Sequence, residues 1–263
     1  MPAKTKSAPA SKPAKAAGPR MSLSEVMSEL KKAGSEQTRK TYRRHGAAEP
    51  MFGVSFATLK ALYKRIRVDH ELALALWNTG NFDARNLAVK VVDPANMSVA
   101  DLDTWASTRT ANMCHGYVAH VAAEGPHAFE RADAWLAAKE VWLRCSGWLL
   151  VAAMAQKDET TPDSWFLGRL AEIEKTMHTA PNAQRASMNH AVIGIGARNP
   201  SLRKAAMAAA KRIGKVEIDH GDTACKTPDA AECIEAAWTY SLSKKFESPA
   251  AHERSRESMR TRC

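Results

Sequence analysis

The run TANMCHGYVAH sets His115 between Cys114 and Gly116, with Tyr117 close by and His120 five residues further on. Residues five apart do not share a helical face as an i, i+4 pair does, so these two imidazoles do not predict a metal site. A lone histidine has two readings: a catalytic group that orients water, or a hydrogen-bonded core residue. A second cluster, DHGDTACKTPDAAEC, gathers His220, Asp222, Cys225 and Cys233. Its spacing matches no specific zinc pattern, while Gly221 and Asp222 suit a turn and Thr227 suits a helix cap. No metal and no cofactor is therefore expected. Arg144 stands in VWLRCSGWLLVAAMA, a stretch apolar nearly all round, where a charge needs a partner or an open groove. Of the seven tryptophans most suit packing between helices, and one or two suit stacking on a base. Phosphate loops, GxSxG elbows, HExxH helices and Rossmann fingerprints are all absent.

The elements that must position these residues are short helices. From Met21 to about Tyr240 the chain reads as about a dozen amphipathic helices, with no convincing strand. Ser22 with Glu25 forms a capping-box pattern, and Ser35, Ser55 and Ser98 each precede a further helical run. Thr161-Pro162 reads as an N-cap followed by proline in the first turn. Phe166, Leu170, Ile173 and Met177 then repeat at helical spacing. Gly214 closes one helix and Thr227-Pro228-Asp229 opens the last. Connections of about two to six residues and a rhythm of roughly 35–40 residues per helix pair predict an all-α, HEAT-like solenoid with an extended binding face.

The formal net charge of +10 is unevenly placed. Lys4, Lys6, Lys12, Lys15 and Arg20 lie in a Pro- and Ala-rich run without acids, which predicts a disordered basic arm at 1–20. A helical-repeat domain is expected over 21–240, and a mobile basic tail over 241–263. The domain itself is close to neutral, so affinity for nucleic acid depends on the ends or on sorting cations onto one face. Five spaced cysteines without a CxxC pair fit reduced thiols, no run long enough to span a membrane occurs, and no secretory signal is evident. A cytoplasmic, nucleoid-associated monomer is expected.

Several segments together resemble a known family: YRRHGAAEPMFGVSFATLKALYKRI, LALALWNTGNFDARNLAVKVV, VWLRCSGWLL, and ASMNHAVIGIGARNPSLRKAA followed by KVEIDHGDTACKTPDA. They are similar to the DNA alkylation repair family of HEAT-like glycosylases. The resemblance implies a right-handed superhelix cradling duplex DNA, alkylated duplex included. It also implies, for active members, excision of cationic N3- or N7-alkylated purines. In those members a carboxylate supports the oxocarbenium-like sugar, tryptophans face the cationic groups, and an arginine holds a phosphate. Here Ala111 falls at the first tryptophan, His115 at the aspartate, His190 at the later tryptophan and Cys145 at the arginine, with Arg144 adjacent. The positions expected at the DNA are Arg144, Asn189, His190 and Asn112, with His115 as the candidate catalytic residue. Three functions follow as expectations: DNA binding with base excision reduced or altered, a working glycosylase in which His115 orients water, or a protein-interaction scaffold.

Overall fold

The computed structural model describes residues 20–110 and 112–262, with the backbone alone for Asn112 and Met113; Ala111, Cys263 and all but the last residue of the predicted arm lie outside them. The described residues form helices and no strand. The first six are α1 (Leu23–Ala33), α2 (Glu36–Arg44), α3 (Phe56–Ile66), α4 (His70–Asn78), α5 (Phe82–Val91) and α6 (Val99–Ser107). There follow α7 (Asn112–Ala123), α8 (Ala128–Leu136), α9 (Val141–Lys157), α10 (Asp163–Thr176), α11 (Asn182–Gly196), α12 (Pro200–Ile213) and α13 (Ala230–Ser243). Two short helices, α14 (Pro249–Arg254) and α15 (Met259–Arg262), end the chain. Among the described residues no helix is long and apolar enough to cross a membrane.

Local chemistry sets most helix starts. The hydroxyls of Ser22, Ser35, Ser55 and Ser98 each accept the amide N–H three residues on, and Glu25 closes the capping box by accepting from Ser22 N at 2.7 Å. Such caps satisfy donors that the helix leaves unpaired, each worth about 1 kcal/mol. The pattern at Thr161 resolves differently: α10 starts at Asp163 behind Pro162, without a side-chain cap. Thr161 instead donates its amide and hydroxyl to Asp158, which closes the turn leaving α9.

Helices α5, α7, α9, α11 and α13 form one row, each beside the next. Near the N-termini of α9 and α11, Arg144 Nε donates to Gln184 Oε1 at 3.1 Å; farther along, Gly194 lies against Ala152. Their order shows that the two run parallel. Gly194 permits that approach, because a Cβ there would sit 2.8 Å from Ala152 Cα. The second row, α4, α6, α8, α10 and α12, is tied by an internal repeat. Asp-x-Trp recurs at Asp103/Trp105, Asp133/Trp135 and Asp163/Trp165, 30 residues apart. Each of two tryptophans donates its indole N–H to the aspartate of the helix before it in this row: Trp135 of α8 to Asp103 of α6 at 2.7 Å and Trp165 of α10 to Asp133 of α8 at 3.2 Å. Asp163 accepts from Asn199 instead, and Trp105 stacks on Trp77 with ring centroids 4.2 Å apart.

The expected mobile tail is not what forms. Residues 248–262 pack along the C-terminal ends of the parallel row, where backbone carbonyls lack helical partners and attract cations. Ala250 N donates to Ala197 O beyond α11, and Arg254 Nη1 to Gln156 O in the last turn of α9. Arg260, 5% exposed, donates to the carbonyls of Val89, Lys90 and Val92 at the end of α5 and to Glu124 beyond α7. Lys90 and Lys60 return bonds to Arg260 O and Arg262 O. In an ordinary solenoid each repeat meets only its neighbours. This strap joins helices more than 100 residues away in sequence. The side chains of Arg254, Arg260 and Arg262 thus bond within the fold.

Candidate functional site

His115 lies in the first half of α7 and is 3% exposed. Its ring stacks on Trp142 of α9 with centroids 4.1 Å apart, and Nε2 meets Ser146 Oγ at 2.5 Å. The single Ser146 hydroxyl proton goes to Ala106 O at 2.9 Å, so Ser146 accepts from His115, which is then the neutral Nε2–H tautomer. Burial holds the imidazole pKa down at about 4. The imidazole expected to orient water thus lies in the contact between two helices, hydrogen-bonded to Ser146. The side chain is sealed between two helices, and Ser146 is fully engaged and itself 1% exposed.

Arg144 is half-buried in the first turn of α9. Beyond the Gln184 bond, its Nη1 donates to Ala138 O at 2.9 Å and Lys139 O at 2.6 Å, carbonyls that follow α8. Nη2 has no partner among the described residues, which leaves one face of the fork for an anion. Cys145, at the position matched to the family's arginine, is 2% exposed, and burial raises its thiol pKa. It cannot contact a phosphate.

Asn189 is 3% exposed and donates Nδ2 to Pro228 O at 2.9 Å, so it anchors the 214–229 loop. His190, the next residue, is exposed. Surrounding protein nonetheless depresses its imidazole pKa, burial being the main cause. Solvent access within enclosing protein is what the wall of a recess provides. With Gly116 and Ala152 on neighbouring helices, both only partly covered, His190 marks the open side of the parallel row. A Cβ on Gly116 would meet nothing within 4 Å. The backbone of Asn112 begins α7, whose first half meets the first turns of α9 through His115; Arg109 and Lys139 lie exposed on the loops that lead into α7 and α9.

Sequence reasoning overlooked Asp83. It is fully buried at the start of α5 and accepts from three successive amides: Phe52 at 2.6 Å, Gly53 at 3.0 Å and Val54 at 2.8 Å. Little in NFDARNLAV marked it, since an acidic residue in the first turn of a helix is ordinary. Its role is to hold the loop before α3.

The family profile described as DNA alkylation repair enzyme matches residues 26–233. An uncharacterized protein of Listeria monocytogenes is 27% identical over 223 residues, covering 82% of this chain and 97% of that protein. An uncharacterized protein of Listeria innocua is 26% identical over the same length and shares. A solved structure with TM-score 0.76 and 30% identity covers 86% of this chain and 96% of its own. It is described as a new family of proteins related to the HEAT-like repeat DNA glycosylases with affinity for branched DNA structures. The fold is thus of the HEAT-like repeat type, and the match spans nearly all of the helical rows that carry Arg144, Asn189 and His190. The chain belongs to the DNA alkylation repair enzyme family.

Proposed function

We propose that this protein binds DNA, duplex or branched, along the open side of the parallel row and does not excise bases. The observation that carries the reading is the burial of His115. The position that the family resemblance assigns to a carboxylate holds a neutral imidazole, 3% exposed and hydrogen-bonded to Ser146. A neutral buried ring offers no charge to an oxocarbenium ion; losing such a contact removes about a hundredfold or more in rate. DNA affinity is supported by family membership and by the neighbour's affinity for branched DNA. It is also supported by cations that form no ion pair among the described residues near the N-terminal ends of α7 and α9, namely Arg109, Lys139 and Arg144, and by Arg185 in the first turn of α11. Helix N-termini add partial positive charge there. Phosphate contacts of this kind position DNA without reading sequence.

Fluorescence anisotropy with labelled duplex, three-way and four-way junctions tests the reading. Binding that weakens steeply with salt and favours junctions over duplex is expected. Absence of binding to any DNA at low salt would remove it.

A further inference from the structure

We propose that the recess between α11, α12 and the 214–229 loop receives a single unpaired nucleotide of a branched DNA, an inference that rests on the DNA-binding reading above. The recess measures about 1360 Å³ and is open to solvent. It exists because the connection from Ile213 to Ala230 is far longer than the usual few residues, and long connections without secondary structure inside a compact repeat are commonly functional.

The loop is held in place and does not fall onto α12. Asn182 bonds both backbone groups of Asp219 at 2.8 Å, and Arg185 Nη1 donates to Glu217 O at 2.8 Å. Asn189 Nδ2 reaches Pro228 O, and His178 Nε2 meets Ile213 O at 2.8 Å. Four side chains from the α10–α11 turn and from α11 therefore keep the recess formed while empty, which removes the ordering cost of binding.

The lining suits one nucleotide. Val192, Met207, Ala210, Val216 and Ile218 give an apolar floor on which a base can rest. Among the lining cations, Lys211 and Lys226 have no carboxylate partner among the described residues. The lining acids are engaged: Glu217 by Lys215, Asp219 by Gly221 N, and Asp229 as the cap of α13. The lining as a whole carries Arg185, Lys211, Lys215 and Lys226 against Glu217, Asp219 and Asp229, a small positive excess that comes from the helix side, where Arg185 and Lys211 stand, and can meet one phosphate. A duplex arm fits poorly, because the exposed loop carries Glu217, Asp219, Asp222 and Asp229 against only two lysines. A base that is already unpaired enters without the cost of opening a pair. The recess adjoins the open side of the row, since Asn189 lines it and His190 is the next residue.

The test compares four-way junctions that are fully paired with junctions carrying one unpaired thymidine at the branch, using wild-type protein, Ala208→Trp and the Lys211→Glu/Lys226→Glu pair. Ala208 and both lysines are exposed, and thermal melting verifies that the variants fold. Wild type should bind the unpaired junction about tenfold more tightly than the paired one, the size of one base contact. Both variants should lose that increment while keeping affinity for the paired junction. An increment that survives in both variants would place the base elsewhere and overturn the proposal. So would equal weakening toward paired and unpaired junctions, which would make the recess an ordinary backbone or arm contact. Failure of wild type to bind any junction would instead overturn the DNA-binding reading itself.

Discussion

His115 Nε2 and Ser146 Oγ meet at 2.5 Å inside the contact between α7 and α9, with the serine proton committed to Ala106 O. A protonated ring would have to place its second charge-bearing N–H in a site that burial has stripped of water, which is why the pKa falls to about 4.

That depression predicts how stability varies with pH. The unfolded chain takes up this proton near pH 6.5, whereas the native protein takes it up only near 4. Between those values the unfolded state holds more protons, so stability present above pH 6.5 is lost as pH falls. From pH 7 to 5 the loss should be about 2 kcal/mol for such a histidine. His120, also pushed to about 4 by burial, acts in the same direction. Urea unfolding at both pH values should show the slope, and His115→Gln should flatten it; an unchanged slope would mean that His115 titrates normally.

The strap predicts a stability effect far from any groove. Replacing Arg260 with Ala leaves Glu124 without its 2.9 Å partner and frees the carbonyls at the end of α5. Breaking a buried pair from one side lowers stability by about 3–5 kcal/mol. Denaturant melts of Arg260→Ala, Glu124→Gln and the double variant should show strong coupling. Additive losses would mean that the two residues act independently.

Asp83 should behave as a loop anchor. Asp83→Ala orphans three amides and should reduce stability by about 3 kcal/mol, since each unsatisfied buried donor is worth about 1–3 kcal/mol. Hydrogen exchange should quicken at Phe52, Gly53 and Val54, and protection retained at those amides would contradict the role.

Arg144 has structural bonds and an Nη2 without a partner among the described residues, so Arg144→Ala should weaken stability and DNA binding together. Binding to duplex and junctions should fall by a similar factor, because a phosphate contact is blind to sequence. A loss confined to one DNA form would show that the contact reads shape.

Much of the fold was legible wherever the cause is local. Ser22, Ser35, Ser55 and Ser98 act on amides three residues away, so their caps could be read directly. The buried stripe Phe166, Leu170, Ile173 and Met177 follows from period alone. The Asp-x-Trp repeat was equally legible but weak, two residues in 30, and its meaning lies in a bond between neighbouring helices. The facing of His115 was not legible, because NMCHGYVAHVAA is apolar on every side and gives a helix no preferred phase. The docking of Arg260 was not legible either. Its partners lie more than 130 residues away, and basic composition alone suggests solvation. Asn189 and the 214–229 loop misled for a similar reason: the polar side chain serves a backbone carbonyl 39 residues distant.

The most direct test of binding without cutting puts both activities on one preparation. Excess protein is incubated with a duplex containing 7-methylguanine, free base is measured by chromatography, and anisotropy with a four-way junction is read in parallel. The account predicts salt-sensitive junction binding with no base released above the protein-free rate. Release of 7-methylguanine at a rate that grows with protein concentration would contradict it.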